Sequence, residues 1–276
     1  MPASPRLLAP ANACDCHIHI YDPTRPLAPT ASGPGPAWAN VEAYRAVRKR
    51  LGLTRAVVVQ ATTYGTDNSC AVEAIAALGL TDTRGVAVVG PDVSEAELQR
   101  LTDAGMRGAR FQMLPGGALP WAALEPVADR IAPFGWHIQL QMDGRLMAER
   151  EAQLKRLPVM LVIDHVGKFL EPVPVDHPGF RTLLRLLDGG RTWLKLAAAY
   201  EVSKAGAPLY PDVGALAKAA VEAAPERMIW ASNWPHVSVK DRPDDGALLD
   251  LLLDWAPDAA VRHRILVENP ETLYGF

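Results

Sequence analysis

The chain has 276 residues, close to the length of one (β/α)8 barrel, typically ~250 residues, although two smaller domains fit that length as well. Its 28 basic and 31 acidic residues leave a net charge of −3, and 49% of residues are apolar against 21% charged, which excludes a disordered chain. No Lys/Arg run marks a nucleic-acid surface, no apolar stretch nears the ~20 residues of a membrane span, and no signal-peptide core is present. A cytoplasmic protein with neither nucleic acid nor membrane as partner is the expectation.

Eight apolar runs follow one another, at 14–20, 56–60, 85–89, 108–112, 137–141, 160–164, 192–196 and 228–231. Several are continuous, such as Ala56-Val57-Val58-Val59, as suits parallel strands buried on both faces. Between them lie helix-like stretches. Residues 41–51 carry Val41, Tyr44, Val47 and Leu51 at helical spacing, end in Arg48-Lys49-Arg50, and stop at Gly52. Ser94-Glu95-Ala96-Glu97 has the spacing of a capping box, and residues 213–224 end before Pro225. Eight alternating βα units predict one α/β domain over 1–276, a (β/α)8 TIM barrel. An open doubly wound sheet would carry a Gly-rich fingerprint after the first strand, and none is there. Three long stretches, 21–40, 167–178 and 233–246, become loops after strands one, six and eight. They fall on the C-terminal rim, where barrel active sites form.

Chemistry-bearing residues gather at those strand ends. His17 and His19 sit two apart at the end of strand one, so period-two alternation aims both imidazoles one way. The same alternation predicts that Cys14 and Cys16 point outward into the helix layer, and Cys70 is read as a packing residue. His165 ends the sixth run within Asp164-His165-Val166-Gly167-Lys168, and Asn233 ends the eighth within Ser232-Asn233-Trp234-Pro235-His236. Strands one and eight are neighbours in a closed barrel, which brings Asn233 near the histidine pair. Converging imidazoles can hold a metal, bind an anionic oxygen or trade protons.

Taken together, these segments resemble the amidohydrolase superfamily, and within it the amidohydrolase-related branch that includes 2-pyrone-4,6-dicarboxylate lactonase, sugar lactonases and D-galactarolactone isomerase. Tyr64-Gly65-Thr66-Asp67-Asn68, Arg107-Gly108-Ala109-Arg110-Phe111 and Glu268-Asn269-Pro270 extend the resemblance over nearly the whole chain. It implies catalytic roles for His17, His19, His165 and Asn233. The superfamily usually has an Asp where Asn233 stands, as metal ligand and as base for the attacking water; an amide is not basic at neutral pH and cannot take that proton. Strands four and five also lack the residues of a binuclear metal site, and His137 lies at the wrong end of strand five. No cofactor is therefore expected, although a mononuclear zinc on His17, His19 and His165 stays open.

The branch's substrates usually carry carboxylates. Arg110 and Lys168 are the candidates to bind them, against an ion pair in the rim for Arg110 and a solvated loop residue for Lys168. Gln141 and Tyr200, at the rim ends of strands five and seven, would bind substrate hydroxyls or carboxylates. Tyr64 and Asn68 match the family loop after strand two, with a helix cap as the other reading of Asn68. His236 is assigned to the pocket, with solvent as the alternative. The resulting expectation is a metal-independent hydrolase of the lactone ring of a carboxylated sugar-acid or pyrone-type molecule, serving carbohydrate or aromatic catabolism, with one or more histidines as imidazolium. Lactone isomerisation by intramolecular acyl transfer is the alternative that Asn233 favours. A decarboxylase or hydro-lyase, and a non-catalytic metabolite-binding barrel, are the remaining readings. A homo-oligomer is compatible with the sequence.

Overall fold

Each apolar run forms a strand because its β-branched and large side chains can be buried on both faces of a covered parallel sheet. The computed structural model describes residues 4–276. Its strands are β1 (Cys14–Ile18), β2 (Arg55–Val59), β3 (Thr83–Ala87), β4 (Met106–Gln112), β5 (His137–Gln141), β6 (Leu161–Ile163), β7 (Thr192–Leu196) and β8 (Met228–Trp230), parallel and in sequential order. The helices that return the chain are α1 (Val41–Leu51), α2 (Ser69–Leu78), α3 (Glu95–Asp103), α4 (Leu124–Ile131), α5 (Met147–Arg156), α6 (Pro178–Asp188), α7 (Pro211–Ala223) and α8 (Asp245–Asp250). Beyond β8 the chain closes the cylinder against β1. His19 N donates to Trp234 O at 2.9 Å, and Asn233 N donates to His17 O at 3.1 Å. The fold is the anticipated (β/α)8 barrel. No helix among the described residues is long and apolar enough to cross a membrane.

Local signals set the helix ends. Gly52 takes φ 70° after α1 and returns its N–H to Arg48 and Lys49 carbonyls, a conformation that costs other residues steric strain. Ser94 caps α3 by accepting from Glu97 N.

Strand one departs from simple alternation. Cys14 and Cys16 are buried with Val57, Val59, Val86, Val162, Trp193 and Ile229, the residues that fill the barrel. The expected outward orientation of the cysteines is therefore wrong. Asp15 faces outward instead, where its carboxylate accepts from Tyr44 Oη at 3.2 Å, Ser232 N at 2.9 Å and Ser232 Oγ at 2.6 Å. A register shift between Asp15 and Ile18 explains how His17 also reaches the interior. A local irregularity breaks the period of two, so Cys16 and His17 both turn inward.

Candidate functional site

The rim ends of the strands surround a cavity of about 240 Å³ lined by His19, Arg110, Gln112, Gln141, His165, Lys168, Glu201 and Asn233, among others. Next to it, sharing Tyr21, Thr62, Gln112 and Val237, lies an outer chamber of about 630 Å³ walled by Trp38, Pro235, His236 and Arg242. The backbone around the cavity is unusual. His165, Val166, Lys168, Asn233 and His236 all have φ between 49° and 63°. Such left-handed conformations cost non-glycine residues of order 1–3 kcal/mol each and persist where surrounding structure fixes them, as at functional sites.

The histidines divide into a bonded pair and a free ring. His19 Nδ1 lies 2.8 Å from Val59 O. A carbonyl only accepts, so Nδ1 carries the proton and Nε2 offers a lone pair. His17 Nε2, 3.1 Å away, donates to it. His17 is fully buried beneath His19, and its Nδ1 faces Lys195 Nζ at 3.4 Å and Gln139 Nε2 at 3.4 Å. The His165 ring lies 5.0 Å from that of His17, lines the cavity, and has a buried Nδ1 with no partner.

Burial, reinforced by Lys195, Arg110 and Lys168, holds these imidazoles in the neutral form. His17 and His165 are pushed well below the usual histidine range, and His19 to about 3. The expectation of an imidazolium is corrected: the positive charge at the site resides on Arg110, Lys168 and Lys195, and those cations oppose a further proton nearby.

Arg110 is 5% exposed. It donates to Gln60 O at 2.8 Å and Gln112 Oε1 at 3.1 Å, both uncharged, and its Nε is buried without a partner. Lys168 is buried rather than solvated. It pairs with Glu201, and burial brings its ammonium down to about 8. Gln141 lines the cavity with an unpartnered Oε1.

Other sequence candidates stand back from the cavity. Tyr64 Oη both donates to Asp22 O at 2.9 Å and accepts from Asp22 N at 2.8 Å. Asn68 spends its amide on Thr66 O, Val88 O and Val88 N. Both brace loops with polar atoms satisfied inside the protein, and neither lines the cavity. Asn68 makes no side-chain cap bond to α2 either. Tyr200 and His236 lie behind Asn233: Tyr200 Oη is 2.8 Å from Asn233 Nδ2 and 2.9 Å from His236 Nδ1. His236 borders the outer chamber instead of the inner cavity.

Sequence reasoning missed four residues. Lys195 and Gln139 point into the barrel beneath His17, and Lys195 Nζ donates to Gln139 Oε1 at 2.6 Å. Asp164 accepts from Gln139 Nε2 at 3.0 Å. Its burial raises the carboxyl, but Lys195, His165, Arg110 and the Gln139 bond outweigh that and hold it below the usual carboxylate range. Glu201, directly after Tyr200, is the fourth. A lysine inside the apolar run Trp193-Leu194-Lys195-Leu196 was the available signal, since a buried cation requires a partner.

Among the described residues, His17, Asp164 and His165 present ligand atoms within 4.8 Å of one another. This differs from the His17, His19 and His165 set, because both nitrogens of His19 are engaged. Asp164 Oδ1 and His165 Nδ1 have no hydrogen-bond partner, as in a cradle for a cation. Lys195 Nζ already stands 3.5 Å from Asp164 Oδ1 and 3.4 Å from His17 Nδ1. A divalent ion at the ~2.0–2.2 Å typical of zinc ligation would share that space with an ammonium, so the trio does not fit one while Lys195 is charged.

The family model described as Amidohydrolase matches residues 14–276. A D-galactarolactone isomerase of Agrobacterium fabrum is 36% identical over 275 residues, 98% of this chain and 94% of the relative. A 2-pyrone-4,6-dicarboxylate hydrolase of Comamonas testosteroni is 36% identical over 286 residues, 99% and 93% of the two chains. An apo crystal structure from Agrobacterium tumefaciens superposes with a TM-score of 0.93 at 36% identity, covering 99% of this chain and 98% of that one.

Proposed function

We propose that this chain, which belongs to the amidohydrolase family, is an enzyme that attacks the ring carbonyl of a lactone bearing a carboxylate, and hydrolyses it. The observation that carries this reading is the cavity itself. A neutral imidazole, His165, shares about 240 Å³ with two buried cations, Arg110 and Lys168. The cations suit a carboxylate and the negative charge that develops on a carbonyl oxygen under attack. His165 suits the proton. It takes one from the attacking water as the new C–O bond forms, and returns it to the ring oxygen as the old C–O bond breaks. His19, held from beneath by His17, forms the floor of this site, Asn233 one wall, and Gln141 a further hydrogen-bonding group for the substrate. Relatives named as a lactone isomerase and a pyrone hydrolase support a cyclic ester as the substrate class.

Isomerisation is the second reading, favoured by one observation. Asn233 stands where a carboxylate would activate water, and the neighbouring Glu201 is already tied to Lys168 and Asn233. A substrate hydroxyl attacking its own lactone needs positioning more than a strong base. Incubation of a panel of sugar-acid and pyrone lactones in H₂¹⁸O separates the two. Hydrolysis places label in the open acid, whereas isomerisation gives a new lactone without label. Absence of turnover across the panel would leave a metabolite-binding barrel.

The place Lys195 holds between Asp164 and His17 supports catalysis without a divalent metal. Activity is expected to survive dialysis against a chelator, with metal content well below one ion per chain. Loss of activity that zinc restores would overturn this.

The pH profile gives another test. Burial holds His17, His19 and His165 below the usual histidine range, so kcat/KM is expected to be flat between pH 6 and 7. Lys168 binds an anion only while protonated, and its depressed value means that the charge is lost as pH rises through about 8. kcat/KM for a carboxylated lactone should fall there, after subtraction of spontaneous hydrolysis. Lys168→Arg should carry the plateau to higher pH. A limb between pH 6 and 7 would instead point to a titrating histidine.

A further inference from the structure

Four hydrogen bonds around Asn233 fit one arrangement of protons in which His236 carries a single ring proton. Asn233 Nδ2 lies 3.2 Å from Glu201 Oε1 and 2.8 Å from Tyr200 Oη. Glu201 is paired with Lys168, and a carboxylate oxygen only accepts. The nitrogen of the Asn233 amide, not its oxygen, must therefore face Glu201, which settles the amide orientation from chemistry alone. Tyr200 Oη receives the second amide proton, so its own proton is free to go to His236 Nδ1, 2.9 Å away. That nitrogen is then a bare acceptor, and the ring proton sits on Nε2, which faces Asp245 Oδ1 at 2.8 Å. Arg50 Nη2 meets Asp245 from the far side at 3.2 Å. The file runs from one carboxylate to another, each donor along it facing an acceptor.

We propose that Glu201 and the Asp245–His236–Tyr200 file are positioning residues that lock the Asn233 side chain, so that its carbonyl Oδ1 is the atom offered to the cavity. Both amide protons are spent on protein groups, one on Glu201 in the cavity lining and one on Tyr200 behind it. Asn233 then serves as a fixed acceptor for one proton of the attacking water, aligning it while His165 takes the other. The Asp–His–Tyr file holds the tyrosine proton away from Asn233, which keeps the amide from turning over. The role of Oδ1 rests on the proposed attack on a lactone carbonyl in this cavity; the order of protons in the file does not.

Neutron diffraction from crystals of the perdeuterated protein reads the file directly. Deuterons are expected on Asn233 Nδ2 toward Glu201 and Tyr200, on Tyr200 Oη toward His236, and on His236 at Nε2 alone. A deuteron on His236 Nδ1, or an Asn233 nitrogen facing the cavity, would overturn the proposal whatever the substrate proves to be. Kinetics with a turned-over lactone test the role. Tyr200→Phe should lower kcat by about 10–100-fold, the scale of a misplaced reacting group, with KM within about threefold. In an Asn233→Leu background the same change should cost no more than about twofold, because Tyr200 acts through Asn233. A full Tyr200→Phe loss in that background would show independent action and sink the positioning role. An inactive panel combined with the expected deuterons would sink the lactone reading and keep the locked amide.

Discussion

Replacement of His165 by Gln is expected to lower kcat by about 10²–10⁴-fold, the usual worth of a positioned acid–base group, with KM changed far less. The argument is one of elimination among three imidazoles. His19 uses Nδ1 on the Val59 carbonyl and Nε2 on His17. His17 is buried beneath it, with Nδ1 turned down toward Lys195 and Gln139. His165 alone combines a place on the cavity wall with a ring nitrogen that no protein group has claimed. Burial keeps it neutral, and so ready to accept a proton, while the adjacent Asp164 favours the imidazolium that forms when it does. Gln keeps similar bulk and hydrogen bonding but cannot carry a proton. Steady-state kinetics beside a circular dichroism melt separate lost chemistry from lost fold. His137→Gln, at the opposite end of the barrel, is the control and should leave kcat within about twofold. A His165→Gln enzyme within tenfold of wild type would remove His165 as the proton carrier.

The barrel was legible because parallel strands buried on both faces leave continuous apolar runs. All eight anticipated runs became strands, two of them, Thr192–Leu196 and His137–Gln141, with the expected ends. The rim residues His19, Arg110, Gln141, His165, Lys168 and Asn233 were legible for a related reason: polar groups that end such runs have only the rim to occupy, and they meet in one cavity. Alternation failed in β1. A register shift leaves no mark in composition, so the cysteines were placed on the wrong face while the histidine pair was placed correctly. The motif that holds Tyr64 and Asn68 records which residues recur, not which atoms their side chains satisfy; both close backbone groups away from the cavity. Glu201 had no pattern to expose it. Its place depends on the turn after β7 and on Lys168, 33 positions away in sequence, meeting across the cavity mouth.

Lys195→Met is expected to destabilise the fold by about 3–5 kcal/mol, the cost of stranding one member of a buried ion pair, as read by urea unfolding. Lys195 and Asp164 are both fully buried, 3.5 Å apart. Without the ammonium, the Asp164 carboxylate keeps the Gln139 bond but loses its nearest full positive charge in a medium that solvates charge poorly. Asp164→Asn added to Lys195→Met should recover at least half of the loss, since an amide has no charge to strand and can still accept from Gln139. A single variant as stable as wild type would mean that Lys195 is not the partner of Asp164. The same variant tests the place of the metal. With the ammonium gone, His17 Nδ1, Asp164 Oδ1 and His165 are left as two imidazoles and a carboxylate around a vacated cation position, a donor set of the kind that binds zinc. Zinc should therefore raise the unfolding midpoint of Lys195→Met in proportion to the logarithm of its concentration, because a ligand that binds only the native state stabilises it. Wild type should show no such rise. An equal rise in both would mean that lysine and metal do not compete, and that the barrel floor holds a divalent ion alongside its ammonium.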